Sequence, residues 1–241
     1  MVQLRSYVVE VKDLSVAEKE QMFKLMVDHF AGVARENFER DLSEKQWAII
    51  LRGRDYQIKG FSTYMLLDER VIDGCNVAAI FSGDTIIDRN YWGCWELFKA
   101  FGKLSLSLCY EYKKNNVSLY WFLISMGYKT YRLLPVFFKE FYPRCNKKTP
   151  VFEKKIIDTF GHYKFSSEYN SRTGVIHFLR ERDRLREGVA DITRERLKNK
   201  HVDFFCRKNP LHKHGDELAC IAKFSEDNLR PSALRMIFGA A

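Results

Sequence analysis

The sequence predicts an α/β (α+β) fold: a mixed, mostly antiparallel twisted sheet flanked by helices, with a helical insertion before a C-terminal hairpin. Three observations lead there. Short runs rich in β-branched and aromatic residues recur with tight turns between them, the mark of antiparallel neighbours. Apolar stripes at steps of three and four alternate with these runs. One strand–helix–strand passage calls for a right-handed parallel crossover. At 241 residues the chain can hide roughly 70–75% of its unfolded surface, enough for one real core. The expected organisation is a single domain over 1–241 with a basic, partly helical insertion at about 144–200.

Ser6 to Val11 reads as a first strand, and Asp13-Leu14-Ser15 offers an N-cap before a helix from Val16 to Phe30, striped by Met22, Leu25 and Met26. A more charged helix covers Gly32 to Leu42. Gln46–Leu51, Gln57–Asp68 and Val77–Ile87 read as strands, joined through Arg52–Asp55 and Asp73-Gly74. A long helix follows, from about Gly93 to Tyr112. The continuous apolar run Val117 to Ser125 suits a strand buried on both faces. Helical spacing resumes from Gly127 to Phe141 and is stopped by Pro143.

The remainder is less regular. A helix is expected from Val151 to Phe160, ended by Gly161, then a polar piece around Ser166 to Thr173. An arginine-rich helix is expected from Phe178 to Lys200. Val202–Arg207 and Glu217–Phe224 read as two strands closing the chain in a hairpin.

Charge is uneven. The net +9 is concentrated between Arg144 and Lys208, where 17 basic and 9 acidic residues leave a net +8. Such a face attracts an acidic protein, an anionic membrane or nucleic acid, or is simply solvated. The RERDRLRE run lacks the interleaved aromatics of a nucleic-acid surface, so nucleic acid is not the expected partner. The six cysteines are scattered with no CxxC pair, which points to reduced thiols and a cytoplasmic protein. The N-terminus carries charge too early for a signal peptide, and Leu119 to Ile124 is far short of the ~20 residues needed to span a bilayer.

The stretch from Val77 to Ala100 organises the chain: a strand turns through Asp88-Arg89-Asn90-Tyr91-Trp92-Gly93 into a helix. A helix mouth presents unpaired N–H groups and the positive end of the helix dipole, which suits phosphate. With this turn in place, the order of elements from Ser6 to Pro143 resembles the GNAT superfamily of acyl-CoA-dependent N-acyltransferases. In that family the turn has the form R/Q-x-x-G-x-G/A and its amides hold the coenzyme A pyrophosphate. Gly93 takes the first glycine position, while Trp92 replaces a usual arginine and Trp95 a usual small residue.

The resemblance implies transfer of an acyl group, acetyl or longer, from acyl-CoA as co-substrate to a small-molecule or peptide amine, with no metal. It implies donor binding by Asn90, Tyr91, Trp92, Gly93, Cys94 and Trp95. The general acid of the family is a tyrosine after the fifth strand; Tyr131 is preferred here over Tyr128. Asp84, an acid inside an apolar strand, is the candidate base. Two other readings follow from the altered turn and the basic stretch: an acidic acyl carrier protein as donor, or a non-catalytic GNAT-like binding module. Cys94 near a helix start could serve as an acyl-accepting thiol, against its more ordinary role as a small packing residue. His212, His214, Cys206 and Cys220 do not match a common zinc spacing.

Overall fold

The computed structural model describes residues 4–178 and 183–239. Eight strands form one sheet: β1 (Arg5–Glu10), β3 (Trp47–Arg52), β4 (Ile58–Ile72), β5 (Cys75–Ile87), β6 (Ser118–Ser125), β10 (Glu217–Lys223), β8 (Val175–Ile176) and β7 (Tyr169–Asn170), adjacent in that order. Every pairing is antiparallel except β5 with β6. A separate two-residue ladder joins β2 (Phe30–Ala31) to β9 (Arg184–Leu185).

Alternation along the strands divides the core into two layers. From β6, Leu119, Trp121 and Leu123 enter the layer shared with α3 (Glu96–Lys114), α4 (Tyr128–Tyr131), α5 (Leu133–Phe137), α8 (Lys200–Lys208) and α9 (Pro231–Phe238). Tyr120 and Phe122 face the opposite layer, under α6 (Val151–Phe165). On that same second face, α1 (Val16–His29) and α2 (Arg35–Ser43) cover Ile50, Phe61 and Ile86 near the β1 edge. The four-residue α7 (Arg194–Leu197) precedes α8.

Local chemistry explains several starts and turns. Ser15 closes a capping box with Glu18 at the head of α1. Asp73 and Gly74, at φ 49° and 79°, give the left-handed pair that a two-residue hairpin between β4 and β5 requires.

Four expectations are corrected. Val202–Arg207 is helical, inside α8, not a strand. Asn199 caps the helix by accepting from the His201 N–H at 3.0 Å, and Val202 and Phe205 then share its buried face. The closing hairpin therefore does not form, and β10 lies between β6 and β8 instead. The helix from Val151 does not stop at Gly161 but runs to Phe165, because the missing side chain admits the Tyr169 ring; a Cβ there would lie 2.8 Å from it. The expected helix over Gly127–Phe141 breaks into α4 and α5 and ends at Phe137, where the Phe138 N–H bonds back to Leu134.

The expected helix over Phe178–Lys200 falls partly outside the described residues. Of the rest, Arg184–Leu185 is extended against Phe30–Ala31, Arg194–Leu197 is helical, and Lys200 opens α8. No helix among the described residues is long and apolar enough to cross a membrane.

Candidate active site

The site begins with a defect in the β4–β5 ladder. Tyr64 pairs with Ser82 and Ser62 with Thr85, so Gly83 and Asp84 together stand opposite Thr63 alone. This is a bulge, and it bends and twists the strand that carries it. Glycine is required there: a Cβ on residue 83 would meet Thr63 Oγ1 at 2.6 Å and Lys45 Cε at 2.7 Å. Lys45 is itself fully buried, with Nζ held by the Asp41 carbonyl at 2.9 Å and the Asp41 carboxylate at 2.7 Å.

Beyond the bulge the parallel pair comes apart. The β5–β6 ladder ends at Ser82 and Leu123, while β5 continues to Ile87 and β6 to Ser125. Backbone groups on those facing edges lose their ladder partner, and a buried polar edge needs another. A cleft of ≈ 250 Å³ opens there on the α1, α2 and α6 side, with Phe81, Asp84 and Thr85 on one wall and Ile124, Met126 and Thr130 on the other. Its rim is rich in carboxylates, among them Asp41 and Glu44, which pair with Lys45 and Lys164.

A second, smaller cavity of ≈ 110 Å³ shares Phe30, Thr85, Gly127, Thr130 and Leu185 with the first, and reaches Trp92 and Lys129. Leu185 and Ala190 pack over Gly127, where a Cβ would come within 3.0 and 3.3 Å of them. The segment after β9 thus crosses this corner of the molecule.

The turn predicted to hold phosphate is largely closed on itself. Asp88 Oδ1 accepts from the Asn90 N–H at 2.9 Å, and the Asp88 carbonyl from Tyr91 at 2.8 Å. The Trp92 and Cys94 N–H groups bond to the carbonyls of Arg89 and Tyr91. Gly93 sits at φ 92° with nothing within 4 Å of its missing Cβ, so its surface is open. The amides left without intrahelical acceptors are those of the first turn of α3, whose N-cap, Trp95, supplies no side-chain bond.

The two tryptophans do different things. Trp92 Nε1 donates to the Ile87 carbonyl at 2.8 Å, and Lys129 Nζ lies 3.5 Å from its ring centre. Trp95 packs on Phe98 and Phe137 and lines neither cavity. Burial pushes the Lys129 pKa down, helped by the positive charges of Arg196 and Arg89. Arg89 and Lys129 thus lie on the Trp92 ring with Arg196 within electrostatic reach and Asp191 opposing them, a net positive corner suited to an anion.

Asp84 lies on the cleft wall. Tyr131 does not: it is fully buried against Phe141, Phe204 and Phe205, and its hydroxyl donates to the Pro143 carbonyl at 2.9 Å. Burial pushes its pKa up, which makes it a weaker acid. Tyr128 is also buried, with the Arg196 guanidinium 5.4 Å from its ring centre. No group of three His, Cys, Asp or Glu among the described residues is placed to hold a metal ion. Thr85, Met126, Thr130 and Lys129 were not singled out by sequence reasoning. The available signal was Gly83 inside a strand, which marks a bulge.

No protein-family model matches this chain. No curated protein matches it. Solved structures do, and they include GNAT-type N-acyltransferases. A protein of unknown function from Enterococcus faecalis, described as a probable N-acyltransferase, is 16% identical, with 69% of this chain and 45% of that one covered and a TM-score of 0.40. A GCN5-related N-acetyltransferase from Kribbella flavida is 11% identical, with 58% of this chain and 34% of that one covered and a TM-score of 0.40. A GNAT-family N-acetyltransferase from Escherichia coli, solved in complex with CoA, is 13% identical, with 56% and 69% covered and a TM-score of 0.35. The match thus spans less than half the length of the first two.

Proposed function

We propose that this chain is a GNAT-type N-acyltransferase in which a thioester donor and an amine meet between the parted ends of β5 and β6. The observation that carries this reading is the single parallel junction of the sheet, opened beyond Ser82 and Leu123 by the Gly83–Asp84 bulge. The donor's phosphates are assigned to the head of α3, among Arg89, Lys129 and Arg196 and beside Asn90–Trp95. Its acyl arm reaches the strands through the smaller cavity, and the amine enters from the larger cleft that adjoins it at Thr85, Gly127 and Thr130.

In the reaction, the amine nitrogen attacks the thioester carbonyl carbon and an oxyanion forms. A strand-edge N–H freed by the parting of β5 and β6 donates to that oxygen. Collapse of the intermediate breaks the C–S bond and the thiolate leaves. Asp84 is proposed to take the proton from the amine, directly or through one water. Tyr131, with its hydroxyl committed to Pro143, serves this scheme best as a support for α4, which carries Lys129 and Thr130.

A second reading has one observation in its favour. The donor corner is narrow, with Lys129 on its wall and Arg89 and Arg196 within electrostatic reach of that amine, which suits the slim arm of an acidic acyl carrier protein as well as free acyl-CoA. One experiment separates the two. Thermal unfolding is followed with acetyl-CoA, a long-chain acyl-CoA or an acylated carrier protein, and thiol release is measured with mixed amines. A donor at 100 times its Kd stabilises by about 2.7 kcal/mol. If no donor raises the melting temperature and no thiol is released, the acyl-transfer reading fails.

A further inference from the structure

Cys145 lies in the loop between α5 and α6, and His201 is the second residue of α8. They are far apart in sequence, yet Cys145 Sγ and His201 Nδ1 are 3.6 Å apart, hydrogen-bonding distance for sulfur. Both side chains are half-buried. The Asn199 side chain fixes the His201 backbone by accepting from its N–H at 3.0 Å, and the imidazole lies 6.0 Å from the Phe141 ring.

Four cations act on the imidazole, one of which, Arg144, is paired with Glu140 at 3.0 Å. Burial pushes the His201 pKa down, and Lys200, Arg144, Arg132 and Arg230 push it in the same direction. The ring is therefore neutral at pH 7, with Nδ1 free to take a proton when Nε2 carries the ring hydrogen. The Tyr131 phenol lies within electrostatic reach of the thiol, and burial keeps it protonated.

The remaining cysteines differ. Cys109 donates to the Phe224 carbonyl and Cys220 to that of Leu218, and burial raises the pKa of both, as it does for Cys206. Cys75 is exposed.

We propose that Cys145 and His201 form a thiol–imidazole pair that makes Cys145 the site of exchange with small disulfides. The thiol proton passes to His201 Nδ1, and the sulfur attacks one sulfur of the disulfide. A new S–S bond forms, the old one breaks, and the departing thiolate takes the proton back from the imidazolium. Cys145 is oxidised to a mixed disulfide and one equivalent of small thiol is released. This pair acts independently of the acyl-transfer reading.

The test uses the folded full chain with glutathione disulfide at pH 7, quenched at intervals and mapped by mass spectrometry. Accessibility alone predicts that Cys75 is modified first. The pair predicts Cys145 first, by about ten-fold, with His201→Gln removing that advantage while the Cys75 rate stays unchanged. Labelling of buried Cys220 would reveal an unfolded variant. In that event the wild-type order of Cys145 and Cys75 decides, with Cys145→Ser expected to remove the fast adduct from the intact mass. Modification of Cys75 ahead of Cys145 in the wild type, or an unchanged Cys145 rate in folded His201→Gln, overturns the proposal.

Discussion

The Trp121 indole donates its Nε1 hydrogen to the Ser82 hydroxyl at 2.9 Å, inside the sheet. Ser82 is also the last residue of β5 paired with β6 before the strands part. The bond pins the apex of the cleft. In Ser82→Ala the indole N–H stays buried without a partner, which costs about 1–3 kcal/mol. A chain of this size should then melt roughly 2–10 °C lower, as calorimetry would show. An unaltered melting temperature would mean that the apex is not held by this bond.

Gly83→Ala tests the bulge. The added Cβ would collide with Thr63 Oγ1 and the buried Lys45 stem, so overpacking should cost about 1–3 kcal/mol. Acyl-transfer activity should fall more than stability does, since the bulge sets the separation of the strands. Equal activity per folded molecule in the variant would detach the bulge from catalysis.

Asp84 and Tyr131 should respond differently to substitution. Asp84→Asn is expected to lower kcat by about 10²-fold or more with the donor KM unchanged, the signature of a lost base. Tyr131→Phe gives up one hydrogen bond to Pro143, worth about 1 kcal/mol, and should keep kcat within a few-fold. A large fall in kcat for Tyr131→Phe with stability intact would restore the phenol as the acid.

For the donor site, Lys129→Ala should raise the donor KM by roughly ten-fold at low salt and leave kcat nearly as it was. The effect should shrink as ionic strength rises, because these charges are partly solvated. Steady-state kinetics at two salt concentrations would distinguish this from a packing defect against Trp92.

Acid should weaken the head of α1. The Ser15 hydroxyl, and with it the Arg52 guanidinium, holds the Glu18 carboxyl below the usual glutamate range, against a smaller opposing effect of burial. A depressed carboxyl stabilises fully above its unfolded pKa, about 4.3, and that stability is lost as pH falls through the lower folded value. Wild type should therefore exceed Glu18→Gln in melting temperature at pH 7, by an amount reflecting about 1 kcal/mol. The difference should vanish in strongly acidic buffer; a gap that persists there would mean the cap does not depend on charge.

Where local chemistry was sufficient, the sequence was readable. Asp73-Gly74 demanded a turn, Asp13-Leu14-Ser15 a helix start, and the run Val117–Ser125 a strand buried on both faces. Where two periods fit one short run, it was not. Val202–Arg207 satisfies either a strand or a helix, and its fate depended on Asn199 and on the Val202–Phe205 face finding α4. Gly161 looked like a terminator because its partner, Tyr169, is a tertiary neighbour.

The sequence by itself determined the succession of strands and helices through Ser125, the turn that leads from β5 into α3, and Asp84 as an acid within a strand. Those depend on periodicity, turn residues and charge, all of which act over a few positions. Tertiary structure alone decided that Gly83 faces Thr63 and Lys45, that β5 and β6 part after Ser82, that Tyr131 is spent on Pro143, and that Cys145 meets His201. Each of these is a contact between distant segments, set by which side chains must share one buried volume, and no local pattern records it.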